Sequence, residues 1–396
     1  MSIVRRKKIF GTHRAPRFLR VFRRNAEASH SQGNRVKLYD SGGEFFPAML
    51  EAFAEARHHI HAEFYLIRDD ATGAAFAEAL LAASARGVDV SLIYDYIGCF
   101  DTPSAYFRRL ERGGVRCLAF NPPPFRRGLA WFDKRDHRKV AVIDGETAFT
   151  GGVNIGDEYS GFGVSAERWR DLGVRIDGPA VTVLSHLFRE FWLEEKGSPS
   201  LAWFMEHAPL AAMGDAEVMI VSDGPHHARS FIHNAFRIAM AGAGESIRIM
   251  NPYFVPGPRV IRSLLRAVRR GVRVQLILPA KSDVPIVRLV SRGYYTPLLR
   301  AGVEIYERQG SVLHAKVMLI DDTWGVVGSA NLDQRSFHRN YEVNTIVVSR
   351  EFGSQVAEMF TDDLGGSRRV VLAEHERRGW GVRFMERLCN SVSWFL

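Results

Sequence analysis

The stretch DHRKVAVIDGETAFTGGVN, residues 136–154, places a histidine, a lysine and an aspartate in the order HxKxxxxD, as His137, Lys139 and Asp144. The same order returns in LHAKVMLIDDTWGVVGSAN, residues 313–331, as His314, Lys316 and Asp321. In each copy two cationic side chains stand two residues apart at the start of an apolar run. On a strand, neighbours two apart share a face, so imidazole and ammonium converge on one patch, while Asp144, seven residues from His137, falls on the opposite face.

The turn after each run extends the pattern. With Gly145 and Glu146 as a two-residue hairpin loop, Asp144 faces Thr147, and counting back along the ladder sets His137 opposite Asn154. With Asp322 and Thr323 in the second loop, Asp321 faces Trp324 and His314 faces Asn331. The small residues before each asparagine, Gly151 and Gly152, then Gly328, Ser329 and Ala330, leave room for a bulky anion near the backbone.

The repetition extends to the whole chain. RGVDVSLIYD (86–95) resembles RGVRVQLILP (270–279), and RGGVRCLAF (112–120) resembles RAGVEIYER (300–308). Each half opens with a helical stretch, FPAMLEAFAEARHH or SFIHNAFRIAMAGA, that runs into an apolar strand, IHAEFYLI or SIRIMNPYFV. A repeat this long is a domain duplication and not a solenoid unit. Strands alternating with helices predict two similar α/β domains, each a mostly β sheet flanked by helices, packed face to face around one active site. The expected boundaries are a basic segment 1–35, domains at 36–195 and 216–365, a linker at 196–215 where Gly, Pro and Ser break the periodicity, and a C-terminal amphipathic segment 366–396.

Composition bounds the partners. The 396 residues carry a net charge of +9 and a sequence pI near 9.6, which favours anionic ligands without choosing among lipid headgroups, nucleic acid and phosphorylated metabolites. Cys99, Cys117 and Cys389 are scattered and odd in number, which gives neither a disulfide framework nor a CxxC metal site and fits a reducing cytosolic setting. No apolar run is long enough to span a bilayer. Both ends read as surface-seeking: nine Arg or Lys precede the first acid, Glu27, and Trp380, Phe384, Leu388, Val392 and Phe395 recur at helical spacing. An amphipathic helix on an anionic membrane accounts for that pattern, as does a terminal helix docked on its own core.

A histidine, a lysine and an asparagine facing one point, delivered twice, describe a phosphate site with reactive groups. Lysine and asparagine bind the non-bridging oxygens, and imidazole attacks phosphorus or protonates a leaving alkoxide. One histidine then acts as nucleophile and the other as general acid, in opposite protonation states near neutral pH. Each needs an acid on its second ring nitrogen, and Asp171 in ERWRDLGVRI and Glu342 in HRNYEVNTIVV open a strand at equivalent places. Asp144 and Asp321 read mainly as turn or core-support residues. The scheme requires no metal and no cofactor. His58, His59 and His61, where a helix passes into a strand, read as structural, His226 and His227 as a loop, and NPPPF (121–125) as a stiff loop.

At these residues the chain resembles the phospholipase D superfamily, whose members carry two HxKxxxxD motifs. Within it, HRKVAVIDGETAFTGGVNIGDEY with WRD and GPAV, and LHAKVMLIDDTWGVVGSANLDQRSFHRNYE, resemble the bacterial cardiolipin synthases over residues 36–365. The resemblance implies that His137, Lys139, Asp144, His314, Lys316 and Asp321 form the catalytic motifs. It assigns Asn154 and Asn331 to phosphate and Asp171 and Glu342 to orienting the histidines. It further implies a phosphatidyl-histidine intermediate, first-half His137 as nucleophile with His314 as acid, and transfer to the glycerol headgroup of phosphatidylglycerol, with phosphatidylglycerol or phosphatidylethanolamine as donor. The protein is then expected peripherally on the cytoplasmic face of the bacterial membrane, on an anionic surface and without nucleic acid. Gly173 departs from relatives, which often carry histidine there. A hydrolase of the same superfamily, acting on phospholipid or DNA, is the alternative. A non-catalytic binding protein would require one motif to have decayed, and both are intact.

Overall fold

The computed structural model of the protein describes residues 30–123, 133–161, 168–199, 210–225, 230–381 and 385–386. The runs VAVI and VMLI are apolar without alternation, so a strand made from them must be covered on both faces. That is what the fold provides. In the first half β1 (His30–Tyr39), β2 (His59–Phe64), β3 (Asp89–Asp95), β4 (Arg116–Phe120), β5 (Lys139–Ile143), β6 (Thr147–Gly151) and β7 (Gly173–Asp177) form. The second half gives β8 (Ala216–Asp223), β9 (Ser246–Met250), β10 (Arg273–Pro279), β11 (Glu304–Arg308), β12 (Val317–Ile320), β13 (Trp324–Gly328), β14 (Glu342–Val348) and β15 (Ser367–Arg369).

All fifteen join in one sheet, ordered β15-β11-β10-β9-β12-β13-β14-β8-β1-β7-β6-β5-β2-β3-β4, with the halves meeting at the antiparallel pair β8 and β1. In each half three strands are parallel, β2-β3-β4 and β9-β10-β11, linked by helices such as Ala71–Ala85 and Gly257–Arg269. The others pair antiparallel, with β5–β6 and β12–β13 joined as hairpins. Ala141 and Ile143 of β5 pack under the first-half helices, and Met318 and Ile320 of β12 under the second-half helices. Their neighbours Val140, Val142, Val317 and Leu319 share a third apolar cluster, where the two half-sheets lie against each other. Each motif strand is therefore buried on both sides, and its leading His and Lys emerge where the layers meet.

The hairpins differ from the expected register by one residue. Ile143 pairs with Thr147 and Ile320 with Trp324, so each loop has three residues, Asp144-Gly145-Glu146 and Asp321-Asp322-Thr323. Left-handed backbone at Asp144 (φ 52°) and Gly145 (φ 70°), and at Asp321 (φ 51°) and Asp322 (φ 50°), accommodates the extra residue. The shift removes the simple pairing of each histidine with an asparagine.

The loops also settle the two motif aspartates. Asp144 accepts hydrogen bonds from the backbone N–H groups of Arg57, His58 and His59 at 2.7–2.9 Å, and Asp321 from Gly244, Glu245 and Ser246 at 2.8–2.9 Å. Each carboxylate stitches the helix-to-strand corner to the far end of the motif hairpin. With strands rising about 3.3 Å per residue, the five-residue β5 sets Asp144 well over 15 Å from His137 along the chain. Asp144 and Asp321 thus bond backbone corners in the way their reading as turn or core-support residues describes. His59 and His61 are buried on β2, His61 stacking on Phe188 at 4.6 Å, and no metal-ligand cluster occurs among the described residues. His226, His227, residues 1–29 of the basic segment and Phe384, Leu388, Val392 and Phe395 lie outside the described residues. No helix among those described is long and apolar enough to cross a membrane.

Candidate active site

Two isolated β-bridges between the halves build the site. Asp136, the residue before His137, pairs with Tyr341, the residue before Glu342; Leu313, before His314, pairs with Arg170, before Asp171. His137 N–H donates to the Tyr341 carbonyl at 2.9 Å, and His314 N–H to the Arg170 carbonyl at 2.8 Å. The backbone thereby clamps each histidine beside an acid of the other half.

The side chains follow. His137 Nδ1 lies 3.0 and 3.1 Å from the Glu342 carboxylate oxygens, and His314 Nδ1 lies 2.5 Å from Asp171 Oδ2. Each acid lies against a histidine Nδ1, and the pairing is exchanged between halves. Lys139 Nζ donates to the His137 carbonyl at 2.7 Å; Lys316 Nζ lies 2.9 and 3.1 Å from the two ring nitrogens of His314. Tyr65 packs edge-on against His137 at 5.0 Å, and Tyr159 against His314 at 5.4 Å.

The asparagines join this crossing by a second layer. Asn154 hydrogen-bonds through its side chain to Tyr159, which covers His314. Asn331 donates its backbone N–H to Ser336 Oγ, and Ser336 bonds Glu342, the acid on His137. Both Asn Oδ1 atoms are buried with no hydrogen-bond partner among the described residues, so each amide presents polar capacity that protein does not use.

The two acids are held differently. The side chain of Gly152 is replaced in space by the Asp171 carboxylate, which a Cβ would meet at 2.1 Å. At the equivalent place in the second half, Ser329 uses its hydroxyl to bond Glu342, which also accepts from Asn340 Nδ2 at 3.2 Å. Burial drives Glu342 up to about 7 even with Lys139 opposing. Burial would also raise Asp171, yet Lys316 and His314 outweigh it and hold that carboxyl below its usual range. Burial, then Lys139, Lys316 and His314, keeps His137 well below an ordinary imidazole; burial and Lys316 lower His314, with Asp171 pulling the other way. The same burial brings Lys139 to about 7 and Lys316 to about 8. A dry pocket with more cation than it can solvate is built to receive an anion.

Ser336, Tyr65 and Tyr159 were not singled out from the sequence, although Ser336 and Tyr159 lie inside the quoted motifs, and Ser329 was read only as a small residue and not as a partner of Glu342. Gly173 leaves no room for a side chain, because the Phe45 ring stands 2.4 Å from where its Cβ would be.

Fold and site define a phosphotransfer enzyme of the phospholipase D type, with two HxK motifs converging from a duplicated sheet. Residues 49–192 and 236–364 match the family described as "Cardiolipin synthase, PLD-like domain". The chain is 33% identical over 365 residues to cardiolipin synthase 1 of Bacillus anthracis, covering 90% of this chain and 72% of that protein. It is also 33% identical over 370 residues to the cardiolipin synthase of Oceanobacillus iheyensis, covering 93% and 77%. In fold it is similar to phosphatidylserine synthase of Haemophilus influenzae, with a TM-score of 0.75 at 12% identity, covering 96% of this chain and 100% of that one. The chain belongs to the cardiolipin synthase family.

Proposed function

We propose that the protein is a phosphatidyltransferase that forms cardiolipin at the surface of an anionic bacterial membrane, on its cytoplasmic face. The observation that carries the mechanism is the exchanged pairing, because it gives the two histidines unequal partners. His137 is neutral, donates Nδ1–H to Glu342 and keeps Nε2 free to attack. His314, held by the ionised Asp171, is the imidazole better able to carry a proton.

Nε2 of His137 attacks the phosphorus of a donor lipid; the bond from phosphorus to the headgroup oxygen breaks, and that oxygen takes the proton of His314. Glycerol leaves if the donor is phosphatidylglycerol, ethanolamine if it is phosphatidylethanolamine. The glycerol hydroxyl of a second phosphatidylglycerol then gives its proton to His314 and attacks phosphorus. The P–N bond breaks, cardiolipin forms, and both histidines return to their starting states. Lys139, Lys316, Asn154 and Asn331 bind the non-bridging oxygens and the hydroxyls around them.

The test is mass spectrometry of lipids after the purified chain meets phosphatidylglycerol vesicles with chelator present. Cardiolipin and free glycerol, absent in His137→Ala and His314→Ala, are expected. Phosphatidic acid in place of cardiolipin would make the protein a hydrolase and sink the transfer reading. Which histidine is the nucleophile is read by trapping: rapid alkaline denaturation of the wild-type chain during turnover is expected to leave a phosphatidyl adduct on the peptide containing His137 and none on that containing His314.

A further inference from the structure

The parallel strands β9, β10 and β11 end at Met250, Pro279 and Arg308, and Val317, the residue after Lys316 in the second motif, pairs with Met250. His314 and Lys316 therefore sit on the rim formed by these strand ends. Further along the same rim, beyond Ala280 and Gln309, opens a separate cavity of about 440 Å³ lined by five arginines, Arg288, Arg292, Arg368, Arg369 and Arg378, against only two glutamates, Glu307 and Glu374. With strands roughly 4.8 Å apart, its wall at β11 lies about 14 Å from the motif strand β12. A cavity of about 470 Å³ shares Arg292 and Arg378 and continues the groove.

Acids engage only part of this charge. Arg292 bonds Glu307 at 2.8 Å, Arg368 pairs with Glu374 at 2.8 Å, and Arg378 is paired with Glu386. Arg288 keeps its Nε buried with no hydrogen-bond partner, and Arg369 has no carboxylate partner, among the described residues. Burial and Arg378 hold His375 down at about 4, so it adds no competing charge near neutrality.

Exposed apolar residues adjoin the groove along the chain. Of the seven exposed large hydrophobic residues among those described, Val371 lines the cavity and three more, Ile286, Trp380 and Met385, stand within two residues of a lining residue in sequence, with Trp380 79% exposed. Ile286 begins the helix that carries Arg288 and Arg292; Val371 lines the cavity; Trp380 is two residues from Arg378, and Met385 adjoins Glu386. Guanidinium forks beside exposed aliphatic and indole groups match the boundary between headgroup and acyl chain.

We infer that this groove is a second, non-catalytic phosphodiester site that holds the headgroup of an anionic bilayer lipid and seats the rim carrying the catalytic histidines against the membrane. Free phosphate would be served by the arginines alone; the exposed Ile, Val, Trp and Met are what commit the site to a lipid. The inference deepens the proposed function, and its test is independent of turnover.

Binding to vesicles is measured by sedimentation with the full-length His137→Ala chain, so that no lipid is consumed. Vesicles contain phosphatidylcholine with or without phosphatidylglycerol. Adding Arg288→Gln and Arg369→Gln is expected to weaken binding to the anionic vesicles roughly thirtyfold, at about a fivefold effect per arginine near the surface. The charge-matched pair Arg108→Gln and Arg112→Gln, on the first-half helix Ser104–Arg112, is expected to change it less than threefold. Equal loss in both pairs would reduce the effect to net charge and overturn the site. So would millimolar inorganic phosphate displacing the chain from vesicles, or an oligonucleotide binding tightly and depending on the same two arginines. Lysines at 288 and 369 should recover binding in part, which separates recognition from misfolding. In the His137 background, turnover of detergent-dispersed lipid by Arg288→Gln/Arg369→Gln should match wild type.

Discussion

A Cβ on Gly152 would stand 2.1 Å from Asp171 Oδ1, so this residue decides where the acid on His314 can be. Gly152→Ala is expected to push the carboxylate off the ring and lower turnover roughly 100-fold with the melting temperature nearly unchanged; Asp171→Asn, which fixes the wrong tautomer, should cost roughly 10³- to 10⁴-fold. Steady-state cardiolipin formation and a thermal melt of both variants decide it, and full activity in Gly152→Ala would remove Asp171 from the mechanism. The lysines make a second prediction. Both must be charged to hold phosphate, and in the free protein they lose their protons near 7 and 8. The profile of kcat/KM is therefore expected to fall as pH rises through 7 to 8, while kcat, measured with anion bound, falls at higher pH. Stability runs the other way. Lys139 binds its proton less tightly folded, near 7, than unfolded, near 10.4, so between these values the unfolded chain carries more protons and stability rises with pH. Lys139→Met should flatten that rise and melt roughly 2–4 °C higher than the parent at pH 7, while inactive.

At the level of elements, the two motif aspartates separate what a pattern names from what a fold uses. Asp144→Ala leaves three backbone N–H groups of Arg57, His58 and His59 without their acceptor. A loss of about 2–3 kcal/mol is expected, seen as a melting temperature lower by roughly 5–10 °C, with turnover of the protein still folded within a few-fold of the parent. A thousandfold loss of turnover in well-folded Asp144→Ala would return this residue to the chemistry. Strands, helices and their repetition were legible in the sequence because apolar periodicity is a local property: IHAEFYLI and SIRIMNPYFV supplied β2 and β9 as read. The hairpin register was not. A two-residue loop and a three-residue loop differ by whether aspartate accepts left-handed backbone, and Asp144 and Asp321 do so because their side chains are already tied to a neighbouring corner. Nothing within the loop's own residues announces that tie.

Across the whole molecule, His137, Lys139, His314, Lys316, Asp171 and Glu342 could all be named from the sequence, but not which acid serves which histidine. Position in each half suggested only equivalence; the exchange depends on the bridges Asp136 to Tyr341 and Leu313 to Arg170, which exist only after the halves pack. Neither half alone can then orient its own histidine. Separately expressed pieces, 1–199 and 210–396, are expected to be inactive singly and to recover turnover when mixed or co-expressed; activity in either alone would contradict the exchanged pairing. The shared apolar cluster of Val140, Val142, Val317 and Leu319 supplies the surface for reassembly. Where the histidine of one copy meets the acid of the other, and the reverse holds as well, the contact is isologous, the form a two-fold dimer takes. The single chain preserves the anatomy of a pair. In such a pair each histidine takes its acid from the opposite copy, and within one chain the two acids are free to differ, as Asp171 and Glu342 do.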